Sequence, residues 1–264
     1  MIAALKTAIR RSHDLARWRP AAARRRGDWV LSIVVTTFNR REPLRKLLDH
    51  FRDQTDPEFE VVVAIDGSTD GTQMMLDEYV KGAPFEVRWI DTGQTDRYCL
   101  GMARNMGILE TRGKAVVILD DDSFPTGDFV EQHKRTVKPH TLTGGYRTSH
   151  DPEDELHPKM KELLRGRVRL ERAVENNCCM LRQDWVGCGM FSERIDGYGG
   201  IGQEFTARLA RQGFRYRFNP SAVIFHHREL EGDNGLTRAQ KLEQHAQNLA
   251  LLREKFWPER GETR

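Results

Sequence analysis

The stretch Ala115-Val116-Val117-Ile118-Leu119-Asp120-Asp121-Asp122 constrains this chain more than any other. Five apolar residues in a row, rich in β-branched types, predict a strand buried on both faces. Three carboxylates follow at once. In a doubly wound sheet, ligands bind at the carboxyl ends of the strands. In an extended chain Asp120 and Asp122 point to one side and Asp121 to the other. Carboxylates this close repel one another unless a cation sits between them or water solvates them. The motif therefore reads either as a divalent-metal site with oxygen ligands or as a solvated acidic turn.

The chain has 264 residues, enough for one large domain or two small ones with a real core. Hydrophobic residues make up 38% and charged residues 31%, the balance of a soluble globular protein. No apolar run approaches the roughly 18 residues of a membrane span. Residues 1–28 lack the apolar core and cleavage site of a secretory signal. Cys99, Cys178, Cys179 and Cys188 include one adjacent pair and no CxxC, so neither a zinc site nor a disulfide framework is indicated. Reduced thiols and a cytoplasmic location are expected.

The net charge of +3 is unevenly spread. Residues 1–28 carry eight Lys and Arg against Asp14 and Asp28, a net +6, which leaves −3 for the remainder. Ile2, Leu5, Ile9 and Trp18 stand among these cations. A basic amphipathic segment of this kind suits peripheral contact with an anionic membrane on its inner face, or packing against a partner. Nucleic acid is not expected, because no aromatic platform or recognised binding module follows.

From residue 29 to 122 strand and helix patterns alternate: Val30 to Val35, a helix with Leu44, Leu47, Leu48 and Phe51 on one face, Phe59 to Ile65, a helix with Met75, Leu76 and Tyr79, Phe85 to Ile90, Ala103 to Glu110, then the strand before the aspartates. This order predicts a parallel sheet with right-handed crossovers. Asn39 with Glu42 reads as a capping box for the first helix. Neither GxGxxG nor GxxxxGK[ST] is present, which argues against a dinucleotide cofactor and a P-loop. Beyond 123 the expected elements are a helix over Asp128 to Val137, a strand at Gly144-Gly145-Tyr146, a charged helical insertion over Glu153 to Glu175, a strand from Asn176 to Leu181 and a glycine-rich loop from Gly187 to Gly202. A helix over Phe205 to Gln212 and two short strands, Phe214 to Phe218 and Ala222 to Phe225, come next. Thr237 with Gln240 is expected to cap a last helix, whose Leu242, Leu249, Leu252 and Phe256 form a core stripe.

Taken together, these segments resemble glycosyltransferase family two from 29 to about 228. Leu31 to Arg40 (LSIVVTTFNR), Val61 to Thr72 (VVVAIDGSTDGT), Ala103 to Ile108 (ARNMGI), Asp120-Asp121-Asp122, Phe191 to Gly200 (FSERIDGYGG) and Pro220 to His226 carry the resemblance, in order. It implies the GT-A fold, an α/β, Rossmann-like, mostly parallel sheet with flanking helices. Its nucleotide-sugar-binding half would be 29–122, its smaller acceptor and catalytic half 123–236, with the C-terminal helix at 237–264.

The resemblance also implies an inverting transferase. It would move a sugar from a nucleotide-diphosphate sugar, a UDP-sugar by preference, to a carbohydrate, lipid-linked or other hydroxyl acceptor. Thr36, Thr37, Asn39, Asp66, Arg104, Asp120 and Asp121 would bind the donor, Asp66 by accepting the uracil N3–H. Asp122, Asp120 and His226 would hold Mn2+ or Mg2+. The family's usual base is the Asp of a Glu-Asp pair after Gly-Gly, where this chain has Ile201-Gly202. Glu204 is the expected replacement and Asp196 the alternative. Loss of the usual base leaves a second reading open, a protein that binds nucleotide sugar without transferring it.

Overall fold

The computed structural model describes residues 30–149, 158–166, 169–170, 173–195, 197–226 and 237–256. The basic arm, much of the charged insertion and Asp196 lie outside them. The elements are β1 (Leu31–Thr37), α1 (Arg41–His50), β2 (Phe59–Ile65), α2 (Thr72–Gly82), β3 (Glu86–Asp91), α3 (Leu100–Glu110), β4 (Ala115–Asp120), β5 (Ser123–Pro125), α4 (Phe129–Thr136), β6 (Thr141–Ser149), α5 (Pro158–Leu164), β7 (Cys178–Leu181), α6 (Arg182–Gly187), α7 (Ile201–Arg211), β8 (Arg215–His226) and α8 (Arg238–Phe256).

One eight-stranded sheet has the order β3-β2-β1-β4-β7-β6-β8-β5. The pairs β1–β2, β1–β4 and β2–β3 are parallel, as the alternating pattern predicts. Beyond β4 the sheet turns mixed: β7 is antiparallel to both β4 and β6, and β8 is parallel to β6. All seven residues of β1 and of β2 are buried, so neither strand alternates apolar with polar. Leu31, Ile33 and Val35 pack with α1 on one face, while Val34 joins Ala103, Ile108, Trp185 and Phe205 on the other.

Helix α1 forms without the expected capping box. Arg40 is its N-cap residue and makes no side-chain cap bond, while Asp70 Oδ2 from the loop after β2 accepts from the Arg41 N–H at 2.8 Å. Asn39 instead sits at a positive φ of 51°, and its Oδ1 accepts from the Thr69 N–H at 2.7 Å. A missing cap costs about 1 kcal/mol. Burial of Leu44, Leu47 and Leu48 contributes about 1.5–3 kcal/mol each, so packing decides the matter. The capping box at α8 does form, with reciprocal bonds between Thr237 and Gln240.

Three further expectations change. Helix α7 begins at Ile201, four residues before Phe205. The two short strands after it are a single strand, β8, whose register against β6 jumps from Gly145↔Asn219 to Tyr146↔Val223. Pro220 lacks an amide donor, and the irregularity leaves it outside the ladder. Among the described side chains of α8 only Leu252 is buried; it clusters with Ala207, Leu249 and Ile195 pack against this cluster, and Leu242 is exposed. The Phe256 side chain lies outside the described set. None of the four cysteines is in a disulfide. Among the described residues no helix is long and apolar enough to cross a membrane.

Candidate active site

The predicted site residues gather at the carboxyl ends of β1, β2 and β4, with His226 arriving from β8. Register explains most of the geometry. Thr36 pairs with Asp120 across β1 and β4, and its Oγ1 lies 3.4 Å from Asp120 Oδ1. The next residue of each strand turns the other way, and Thr37 Oγ1 donates to Asp121 Oδ2 at 2.6 Å. Ser123 pairs with His226 across β5 and β8. That pairing brings His226 Nε2 to 3.4 Å from Asp122 Oδ2.

The three aspartates therefore have three environments. Asp120 is the most open, and Arg104 Nη2 holds it at 3.0 Å. Asp121 is buried, and burial pushes its carboxyl up to about 7 against the opposing pull of Arg40. Asp122 is also buried, but His226 and Arg40 outweigh desolvation and hold it well below the usual carboxylate range. Arg40 Nη1 sits 3.2 Å from Asp121 and 3.3 Å from Asp122. Sequence reasoning missed this arginine, although it directly follows Asn39 in the loop after β1.

Asp66 closes β2. Its Oδ2 accepts from the Cys99 N–H at 2.8 Å, and burial raises its pKa to about 6. Gly67 follows at φ +73°, where a Cβ would lie 1.8 Å from the Gln94 carbonyl oxygen, so only glycine lets the loop after β3 fold onto this turn. A cleft lined by Arg97, Tyr98, Cys99, Gly101, Met102 and Glu193 adjoins it. Asn39 ties the loop after β1 to the loop after β2 through Ser68 and Thr69.

Arg104 is 2% exposed, yet among the described residues its Nε and Nη1 have no hydrogen-bond partner. Its guanidinium lies over the Phe191 ring, 5.0 Å from the centroid. A buried cation with two unmet donors invites an anion.

Asn176 is a second site residue that no sequence pattern marked. Its Oδ1 accepts from the Asp120 N–H at 3.1 Å and its Nδ2 donates to Ser123 Oγ at 2.8 Å, so one side chain braces both ends of the acidic turn. Behind it Asn177 Oδ1 meets His133 Nε2 at 2.8 Å, and burial pushes that imidazole down to about 4, hence neutral.

Glu204 departs from its expected role. It is 2% exposed, and Arg208 on the next turn of α7 donates to both carboxylate oxygens, at 3.0 and 3.1 Å. Arg208 also donates to the carbonyls of Cys188 and Met190. Burial and the two bonds from Arg208 make this carboxylate an anchor of α7 to the preceding loop. Asp196 is outside the described residues.

Among the described residues, no group of three His, Cys, Asp or Glu side chains stands ready to hold a metal. Asp122 and His226 converge, whereas Asp120 is turned to Arg104. Two protein donors, one carboxylate and one imidazole, still suit a divalent ion whose other ligands are phosphate oxygens and water.

The model of the family described as glycosyl transferase family 2 matches residues 32–185. Curated relatives include the putative glycosyltransferase EpsH of Bacillus subtilis, 31% identical over 108 residues, 41% of this chain and 30% of that protein. The Pasteurella multocida chondroitin synthase is 25% identical over 239 residues, 74% of this chain and 24% of that protein. This chain thus spans a third or less of these relatives' length. Among solved structures, a mannosyltransferase of Pyrobaculum calidifontis in complex with GDP-Man and Mn2+ superposes with a TM-score of 0.62 at 20% identity, covering 94% of this chain and 72% of that one. Staphylococcus aureus TarS 1-349 in complex with UDP-GlcNAc superposes with a TM-score of 0.59 at 18% identity, covering 86% and 73%. The fold is the GT-A fold of nucleotide-sugar transferases. The chain belongs to glycosyl transferase family 2.

Proposed function

We propose that this chain transfers a sugar, with inversion, from a nucleoside-diphosphate sugar to a hydroxyl acceptor. The observation that carries the reading is Arg104: a buried guanidinium with two donor nitrogens unmet among the described residues, fixed beside Asp120 at the carboxyl edge of the sheet. The diphosphate would meet those donors. Asp66 would accept the N3–H of uracil, and Thr36 and Asp120 would line the neighbouring strand ends under the base and ribose. Thr37, Asp121 and Asn39 would act on the donor through the loops they brace. The solved relatives carry both a GDP-sugar and a UDP-sugar, which supports a nucleotide-sugar donor as a class.

Asp122 and His226 would hold a divalent cation, Mn2+ or Mg2+. When bound, it neutralises charge on the departing diphosphate. Arg104 would hold the diphosphate in line, and Asn176 keeps the acidic turn in register. The acceptor is a carbohydrate, lipid-linked or other hydroxyl. Residues 1–28 would rest on an anionic membrane surface on the cytoplasmic side. Calorimetric titration of UDP, GDP and their sugars, with Mn2+ and with EDTA, tests the donor assignment. Binding of none of them would defeat it.

The Ile201-Gly202 pair and the engagement of Glu204 by Arg208 favour one other reading, a nucleotide-sugar-binding protein without transfer. Donor hydrolysis in the absence of acceptor separates the two. A transferase releases nucleotide slowly; a binding protein releases none.

A further inference from the structure

The carboxylates at this end of the sheet are almost all committed. Asp66 accepts from Cys99, Asp120 from Arg104, Asp121 from Thr37, Asp122 from Arg40, Glu193 from Asn105 at 2.8 Å, and Glu204 from Arg208. Glu175 differs. It is half-buried, and among the described residues its carboxylate has no hydrogen bond or ion pair. Its backbone is fixed on both sides of the side chain: the Glu175 carbonyl accepts from Cys178 Sγ–H at 2.9 Å, and Asn176 is tied to Asp120 and Ser123.

Its placement is unusual. A Cβ built on Gly202 would lie 2.1 Å from Glu175 Oε2, 2.3 Å from Cδ and 2.7 Å from Oε1. The Glu175 carboxyl group thus occupies the volume that a side chain at position 202 would fill, on the first turn of α7. A first-turn position is one where a helix favours negative charge. Arg104 is near enough to feel its charge. A carboxylate without a hydrogen bond or ion pair among the described residues thus stands against the first turn of α7, within electrostatic reach of Arg104.

From this geometry we infer that Glu175 is the general base. It stands in for an acid on α7 by reaching into the same space from the segment before β7. This rests on the transferase reading above. In the step, the acceptor O–H proton moves to a Glu175 carboxylate oxygen. The freed oxygen forms the new bond to the anomeric carbon, and the bond from that carbon to the diphosphate breaks, its electron pair leaving with the diphosphate. Gly202 is required because a side chain there would displace the base.

The test uses the full chain, with donor hydrolysis and transfer as readouts and nucleotide binding measured in parallel. Glu175→Gln should lower kcat by about 100-fold or more while nucleotide affinity and melting temperature stay at wild-type values. The decisive variant is Glu175→Ala with Gly202→Asp, which returns a carboxylate to the emptied volume from the helix side. It should recover at least about tenfold of the turnover lost in Glu175→Ala alone. Unchanged turnover in Glu175→Gln overturns the assignment, and so does a loss of nucleotide affinity equal to the loss of turnover. A wild-type protein that binds nucleotide but neither transfers nor hydrolyses overturns the transferase reading and this assignment together. An active wild type with an active Glu175→Gln overturns this assignment alone.

Discussion

His226 Nε2 lies 3.4 Å from Asp122 Oδ2, a contact between residues more than a hundred positions apart. It exists because β5 pairs antiparallel with β8 and sets Ser123 opposite His226. The pair is the nearest thing to a metal-ligand set among the described residues. Asp122→Ala is expected to abolish the dependence of donor binding on Mn2+ while the far-UV circular dichroism stays native, because the residue lies in a turn after β4. Equal donor affinity in Mn2+ for wild type and variant would count against the pair as ligands.

Arg104 should be the strongest single determinant of donor affinity. A hydrogen bond to a charged group contributes about 1.5–3 kcal/mol. Arg104→Gln is therefore expected to weaken nucleoside-diphosphate binding by at least about tenfold. The nucleoside without phosphates should lose much less. Calorimetry with UDP and uridine separates the two outcomes.

Asp66 makes a pH prediction. Its folded pKa of about 6 exceeds the ordinary value of 3.8, so the folded chain binds more protons than the unfolded one between roughly pH 4 and 6. This residue's contribution to stability therefore falls as pH rises through that window, by at most about 3 kcal/mol. Asp66→Asn removes the penalty. In denaturant titrations the variant should gain on wild type above pH 6 and show no gain near pH 4. Asp121, raised in the same direction, is present in both proteins and cancels. Affinity of the wild type for a uracil nucleotide should also weaken below about pH 6, as the acceptor for N3–H is protonated.

Glu204→Gln should behave as a stability variant. It weakens the ion pair with Arg208 that ties α7 to the carbonyls of Cys188 and Met190. Breaking a buried pair by neutralising one partner costs up to about 3–5 kcal/mol. The melting temperature should drop, with nucleotide affinity and the turnover of the folded fraction within about threefold of wild type. A loss of turnover at full stability would return Glu204 to the role of base.

Removal of residues 1–28 should leave soluble transfer intact and reduce sedimentation with anionic vesicles. If the shortened chain sediments as fully as the whole one, the arm is not the membrane contact.

Local pattern was enough for the parallel half of the fold. The apolar runs of β1, β2 and β4 can be buried only by helices on both faces, and intervening 3.6-residue periodicities supply those helices. The position of the three aspartates at the end of β4 follows directly. The pair Glu204 and Arg208 does not, because the four-residue spacing makes an ion pair only once α7 begins at Ile201, ahead of the expected Phe205. Other features depend on long-range register, which no local pattern carries. Arg40 between Asp121 and Asp122, Asn176 across the acidic turn and His226 beside Asp122 meet because of strand pairing. Gly202 shows the same division. In the sequence it is a missing carboxylate; in the folded chain it is the space that Glu175 fills, because packing of the segment before β7 against α7 decides which side chain occupies that volume.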